Sequence, residues 1–120
     1  MTDRIGIADM EVILGLMRDA ARDEVMSRFR RLGHADIRAK TSALDVVTAA
    51  DEAAEHIITR ALHDLYPDAL IVGEEAVATR PTLLSGLGDA ELAFVIDPID
   101  GTANYAAGVP LFGVMVSAVA

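Results

Sequence analysis

Phe94-Val95-Ile96-Asp97-Pro98-Ile99-Asp100-Gly101-Thr102 decides how this chain is read. It opens as a short apolar run, the mark of a buried strand, and closes as a turn. Proline has no N–H to give a sheet ladder, so the strand is expected to end at Pro98. Gly101 permits a tight turn or a close approach of backbone to ligand. Asp97 and Asp100, three residues apart in such a turn, can converge on one point, and oxygen ligands there suit a hard cation, magnesium above all. The amides after Gly101 can cradle a phosphate if Ala103–Ala107 starts a helix. A plain loop with two aspartates as turn formers explains the same residues equally well.

The charge around this stretch is lopsided. The chain has 120 residues, with 10 Lys+Arg against 19 Asp+Glu, for a net charge of −9. Every Lys, Arg and His lies at or before Arg80, and Lys40 is the single lysine. Carboxylates near Asp97 therefore have few neighbours in sequence to neutralise them: they face water or hold a cation. A chain this acidic repels nucleic acid polymers and anionic membranes. It has no cysteine, which excludes disulfides and thiolate zinc sites. A hydrophobic fraction of 52% argues against disorder. No apolar run approaches the roughly 20 residues that span a bilayer, and Asp9 and Glu11 interrupt any signal-peptide core, so a cytoplasmic protein is expected.

Upstream, Val12, Ile13, Leu16, Met17, Ala20, Val25, Phe29 and Leu32 recur at helical spacing, which predicts one helix over Ile5–Leu32 capped by Gly33. Short extended pieces are expected at Ile37–Lys40 and Asp45–Val47. A second helix should run from Thr48 to Leu65 with Ala53, Ala54, Ile57, Ile58, Ala61, Leu62 and Leu65 inward, ended by Pro67. Ala69–Val72 and Ala93–Ile96 read as buried strands, 76–92 as a mobile connection, and Leu111–Val119 as a third strand. The basic group Arg28, Arg30, Arg31 suits a helix C-terminus. His34, His56 and His63 make no metal pattern, and the methionines read as core filler or surface. Tyr105 either covers a site or packs beside Phe112.

Two further stretches carry acids at strand and helix ends. Gly73-Glu74-Glu75 follows a strand, where a carboxylate can add a metal ligand or simply meet solvent. Thr48-x-x-Asp51 fits a capping box, which fixes the Asp51 side chain whether or not it also acts as a base on water.

In combination these elements are specific. Lys40-x4-Asp45-Val46-Val47-Thr48-x2-Asp51, then Gly73-Glu74-Glu75, then Phe94 through Thr102-x-Asn104-Tyr105, resemble the inositol monophosphatase family. The resemblance runs from about Lys40 to the end. It implies an α+β chain: the N-terminal portion, residues 1–120, of a single layered αβαβα sugar-phosphatase domain. Two long helices would pack on a mainly antiparallel sheet, and the C-terminal half would be absent. It implies a lithium-sensitive, magnesium-dependent phosphomonoesterase using two or three Mg2+ ions, with Mn2+ as a substitute. Glu74, Asp97 and the carbonyl of Ile99 would hold one metal, and Asp97 and Asp100 a second. Asp51 and Thr102 would orient and deprotonate the attacking water. Gly101, Thr102 and Ala103 would bind phosphate, with Glu74 beside the substrate. Metals are what an acidic protein needs to accept a phosphate dianion.

The implied substrate is inositol monophosphate, with histidinol phosphate, fructose 1,6-bisphosphate and phosphoadenosine phosphate as alternatives, and the implied assembly is a homodimer. Phe94 stands where the family usually has Trp, a packing change. The family's second half, which adds an aspartate to the second metal and most specificity contacts, lies outside these residues. This leaves an alternative: a catalytically incomplete fragment or paralogue that binds metal or a partner without turnover. Asp100→Asn removes a ligand charge while keeping the shape. Calorimetry should show weaker Mg2+ or Mn2+ binding; unchanged affinity would return Asp100 to the rank of a turn former, since Asn also suits turns.

Overall fold

The computed structural model describes residues 5–42 and 45–120. Helix α1 covers Ile7–Ala20. At its start the Asp9 carboxylate accepts the Gly6 N–H at 2.9 Å, and the Tyr66 hydroxyl donates to the same side chain at 2.7 Å. Ile13 and Ala20 are its buried residues, whereas Val12, expected inward, is 54% exposed.

The helix expected to reach Leu32 stops early. A wide π turn spans Ala21–Val25, a 3-10 turn spans Met26–Arg28, and Phe29 is extended. Arg30 then takes the left-handed conformation (φ 62°), and Gly33, expected as the cap, is extended. Competition for carbonyls explains the break. Ser27 Oγ donates to the Asp23 carbonyl (2.6 Å), Arg28 Nη1 to that of Glu24 (2.9 Å), and the buried Tyr105 hydroxyl to that of Val25 (2.6 Å). Side-chain donors thus take acceptors that continued α-helix would use. Val25, Phe29 and Leu32 still reach the core, but from irregular backbone.

Strands β1 (Ile37–Ser42) and β2 (Asp45–Thr48) pair antiparallel. Helix α2 runs Ala49–Leu65, with Thr48 as N-cap and Asp51 closing the capping box. Its buried face is Ala50, Asp51, Ala54, Glu55, Ile58 and Leu62; Ile57 and Leu65, expected inward, lie toward solvent. Strand β3 (Leu70–Gly73) leads directly into α3 (Glu74–Thr79), followed by a 3-10 turn over Pro81–Gly86. The connection expected over 76–92 is therefore partly helical. Strand β4 spans Ala93–Asp100, α4 spans Thr102–Ala106, and β5 spans Gly113–Val119.

The sheet order is β3-β4-β5, with β3 parallel and β5 antiparallel to β4. Two of the three described pairings are thus antiparallel. Phe94 and Ile96 pack with Ile13 and Ala20 of α1 and Ile58 and Leu62 of α2, so both long helices cover one sheet face.

Strand β4 does not end at Pro98. It continues to Asp100 through a register shift between Asp97 and Asp100. The missing N–H of proline falls where the ladder is already interrupted, the one place inside a sheet that tolerates it. A bulge also advances the side-chain alternation by one residue. Ile99 consequently joins the second core cluster with Ala50, Ala54, Val25 and Tyr105, while Asp97 is half-buried and Asp100 exposed.

Tyr105 does not cover a site. It is fully buried, edge-on to Phe112 at 5.0 Å between ring centroids. Tyr105→Phe keeps the packing but leaves the Val25 carbonyl without this donor. It should cost about 1–3 kcal/mol in urea unfolding; an unchanged midpoint would mean that water or a backbone N–H replaces the hydroxyl.

Candidate functional site

Three element ends bring acids to the C-terminal end of β4. The N-terminus of α2 supplies Asp51, the β3–α3 junction supplies Glu74 and Glu75, and the β4 bulge supplies Asp97 and Asp100.

Asp51 is fully enclosed. Its Oδ2 accepts the Thr48 N–H (2.8 Å) and the Thr48 hydroxyl (2.6 Å), which is the capping box seen from the carboxylate side. Its other oxygen, Oδ1, lies 2.9 Å from Thr102 Oγ1. That hydroxyl is also 2.8 Å from the Ile99 carbonyl. One proton cannot serve both acceptors, so Thr102 chooses between a carboxylate and a carbonyl. Burial pushes the Asp51 carboxyl above its ordinary range, and the bonds from Thr48 and Thr102 pull it partly back.

Glu74 meets Asp97, and burial followed by this contact pushes Glu74 up to about 7. Asp97 is also raised, first by burial and then by the charges of Asp100, Asp51 and Glu75, against the lowering effect of its bond with Glu74. Lys40 Nζ lies 2.8 Å from Glu75 and 3.7 Å from Glu74. Glu75, its side chain only 11% exposed, still rises to about 7, because burial outweighs the lysine.

Gly101 has φ 89° and is the N-cap of α4, with no side chain capping the helix. The amides that begin a helix have no partner within it. A Cβ at Gly101 would also lie 2.9 Å from the Leu111 carbonyl oxygen, so both backbone angle and space require glycine. Ala103, in the first turn of α4, is exposed.

Of the residues singled out from sequence, the structure joins Asp51 to Thr102, Thr102 to Ile99, and Glu74 to Asp97. Asp100 acts on Asp97 through charge. Among the described residues no three His, Asp or Glu side chains converge closely enough to form an ion site as they stand. The donor chemistry nonetheless fits a hard cation. Asp97 Oδ1 is buried and has no hydrogen-bond partner, the unmet acceptor that such an ion would satisfy. His34, His56 and His63 are exposed.

Glu75, quoted within Gly73-Glu74-Glu75, is buried against Lys40 rather than simply meeting solvent. One participant was missed from sequence. Glu55 is buried on α2, where its spacing of four from Asp51, between the apolar Ala54 and Ile58, was the available signal.

Comparison with known proteins bears on the fold and the family. The solved IMPase of Thermotoga maritima superposes with a TM-score of 0.76 at 26% identity, covering 94% of this chain and 40% of that one. An inositol monophosphatase from Zymomonas mobilis gives 0.65 at 29% identity, covering 97% and 40%. Both share the layered α+β fold. The Nus factor SuhB of Pseudomonas aeruginosa is 37% identical over 111 residues, covering 90% of this chain and 39% of that protein. Inositol monophosphatase 1 of Sus scrofa is 34% identical over 101 residues, covering 84% and 32%. The model of the inositol monophosphatase family matches residues 9–120, and the chain belongs to that family. It spans 24% to 39% of the length of the curated relatives it matches.

The raised carboxyls fix a pH dependence. Burial pushes the Glu75 carboxyl up to about 7 in the folded chain, whereas the unfolded chain releases that proton near 4.5. The folded state therefore binds more protons between those values, and stability falls as pH rises through that window. With chelator present, the melting temperature should drop between pH 5 and 7.5, and Glu75→Gln, which mimics the protonated form, should flatten the slope. A rise over this range, or equal slopes, would contradict the assignment.

Proposed function

We propose that this chain carries the metal-binding and water-activating portion of a magnesium-dependent phosphomonoesterase acting on inositol monophosphate or a related small phosphate ester. The observation that carries the reading is the part-buried Thr102–Asp51 pair, 2.9 Å apart, beside Glu74, Asp97 and the unpartnered Asp97 Oδ1.

In this reading Glu74, Asp97 and the Ile99 carbonyl would hold one ion, and Asp97 and Asp100 another. Bound there, magnesium would neutralise substrate charge and lower the pKa of water. The chain's own groups do the rest. Thr102, donating its proton to Asp51, keeps lone pairs free to accept one from water. Asp51, already raised in proton affinity by burial, is suited to take the relayed proton. The amides of Gly101, Thr102 and Ala103 at the start of α4 bind the phosphate oxygens. Glu74 would both hold an ion and contact the substrate. A cytoplasmic homodimer inhibited by lithium is the form this reading expects. No helix among the described residues is long and apolar enough to cross a membrane.

The test is phosphate release from inositol 1-phosphate by the purified chain, with and without Mg2+, alongside calorimetric titration with Mn2+. Magnesium-dependent release that Asp51→Asn abolishes supports the proposal. Mn2+ binding without release points to the alternative, a metal-binding chain without turnover of its own. Neither binding nor release would overturn both.

A further inference from the structure

Helix α2 buries two carboxylates, and the proposed chemistry uses one. The second is Glu55, 8% exposed and one turn after Asp51. Its Oε1 accepts the Glu75 N–H at 2.8 Å, and its Oε2 accepts the Ala76 N–H at 2.9 Å. These are the second and third residues of α3, whose amides no helical carbonyl can satisfy. Gly73, the N-cap of α3, has no side chain to do so. A Cβ on Gly73 would overlap the Glu55 carboxyl group, so the close approach depends on glycine.

A Ser or Asp at position 73 would cap α3 from within its own junction. A carboxylate reaching across from α2 does something different. It ties the first turn of α3 to the helix that also carries Asp51. That turn bears Glu74, which meets Asp97, and Glu75, which meets Lys40.

We infer that Glu55 is a positioning residue: its two hydrogen bonds to the α3 amides set Glu74 against Asp97 and hold both on the same frame as Asp51. This rests on the proposed metal role of Glu74 and Asp97. Glu55 itself touches neither substrate nor ion. It acts through the backbone from which Glu74 projects.

The experiment is calorimetric Mn2+ binding by the whole chain and three variants. Glu55→Ala removes both bonds. Glu55→Gln keeps the shape and one acceptor, and presents a donor to the other amide. Ile58→Val trims a fully buried side chain on the same helix and leaves the α3 amides capped. Melting and circular dichroism establish that each is folded at the titration temperature. If Glu55→Ala does not fold, Glu55→Gln carries the test.

Loss of an outer-shell partner should weaken Mn2+ affinity about tenfold in Glu55→Gln, with Ile58→Val binding as the wild type does. Wild-type affinity in Glu55→Gln would overturn the inference while leaving the metal reading intact. Equal weakening in Glu55→Gln and Ile58→Val would also overturn it, since the effect would then be general destabilisation. Absence of Mn2+ binding by the wild-type chain would instead remove the metal reading, and this inference with it.

Discussion

The one-residue slip in β4 between Asp97 and Asp100 is the constraint on which the rest depends. Without it, strict alternation would put these two acids on opposite faces of the sheet. With it, Ile99 turns into the core against α2, and its carbonyl comes within reach of the Thr102 hydroxyl. Gly101 then reverses the backbone in the left-handed region and starts α4 directly. Proline makes the slip cheap, because a residue that cannot donate loses nothing where the ladder is broken. Packing and chemistry meet in four residues: Pro98 and Ile99 belong to the interior, Asp97 and Asp100 to the site.

The cluster built around this slip is electrostatically costly. Asp51, Glu55, Glu74, Glu75 and Asp97 are all pushed toward their neutral forms, in each case by burial first. Lys40 pairs with Glu75 and Glu74 and acts on Glu55 through charge. Hydrogen bonding carries much of what charge pairing does not: Asp51 is held by Thr48 and Thr102, and Glu55 by two backbone amides. Such an arrangement disfavours the empty state and rewards whatever brings positive charge, a common condition of functional sites.

What the sequence made legible follows from how local each signal is. The α2 cap is written in four residues, Thr48 to Asp51, and it formed as expected, with the carboxylate fixed where the site needs it. The strand-to-turn motif at 94–102 likewise announced Asp97, Asp100, Gly101 and Thr102 as neighbours. Non-local competition was hidden. The apolar stripe of the first helix continues to Leu32, but the Tyr105 hydroxyl, 80 residues on, takes the Val25 carbonyl and helps end the helix. Pro98 looked like a stop because a lone strand offers no view of its partner's register. Glu55, an acid near a helix N-terminus, gave no sign of reaching α3, because the amides of Glu75 and Ala76 have no signature in sequence.

The contact between Glu55 and Gly73 also bears on how this chain can change over generations. While the carboxylate keeps its bonds to the α3 amides, a side chain at position 73 collides with it. Once residue 55 becomes short, the space opens, and a Ser or Asp at 73 can cap α3 locally. The two positions are therefore coupled. The path that alters 55 first passes through a helix with free amides, whereas the path that alters 73 first passes through a clash. Each intermediate is worse than either end, so this pair should act as an evolutionary ratchet, holding both residues in place even in descendants released from selection for the reaction.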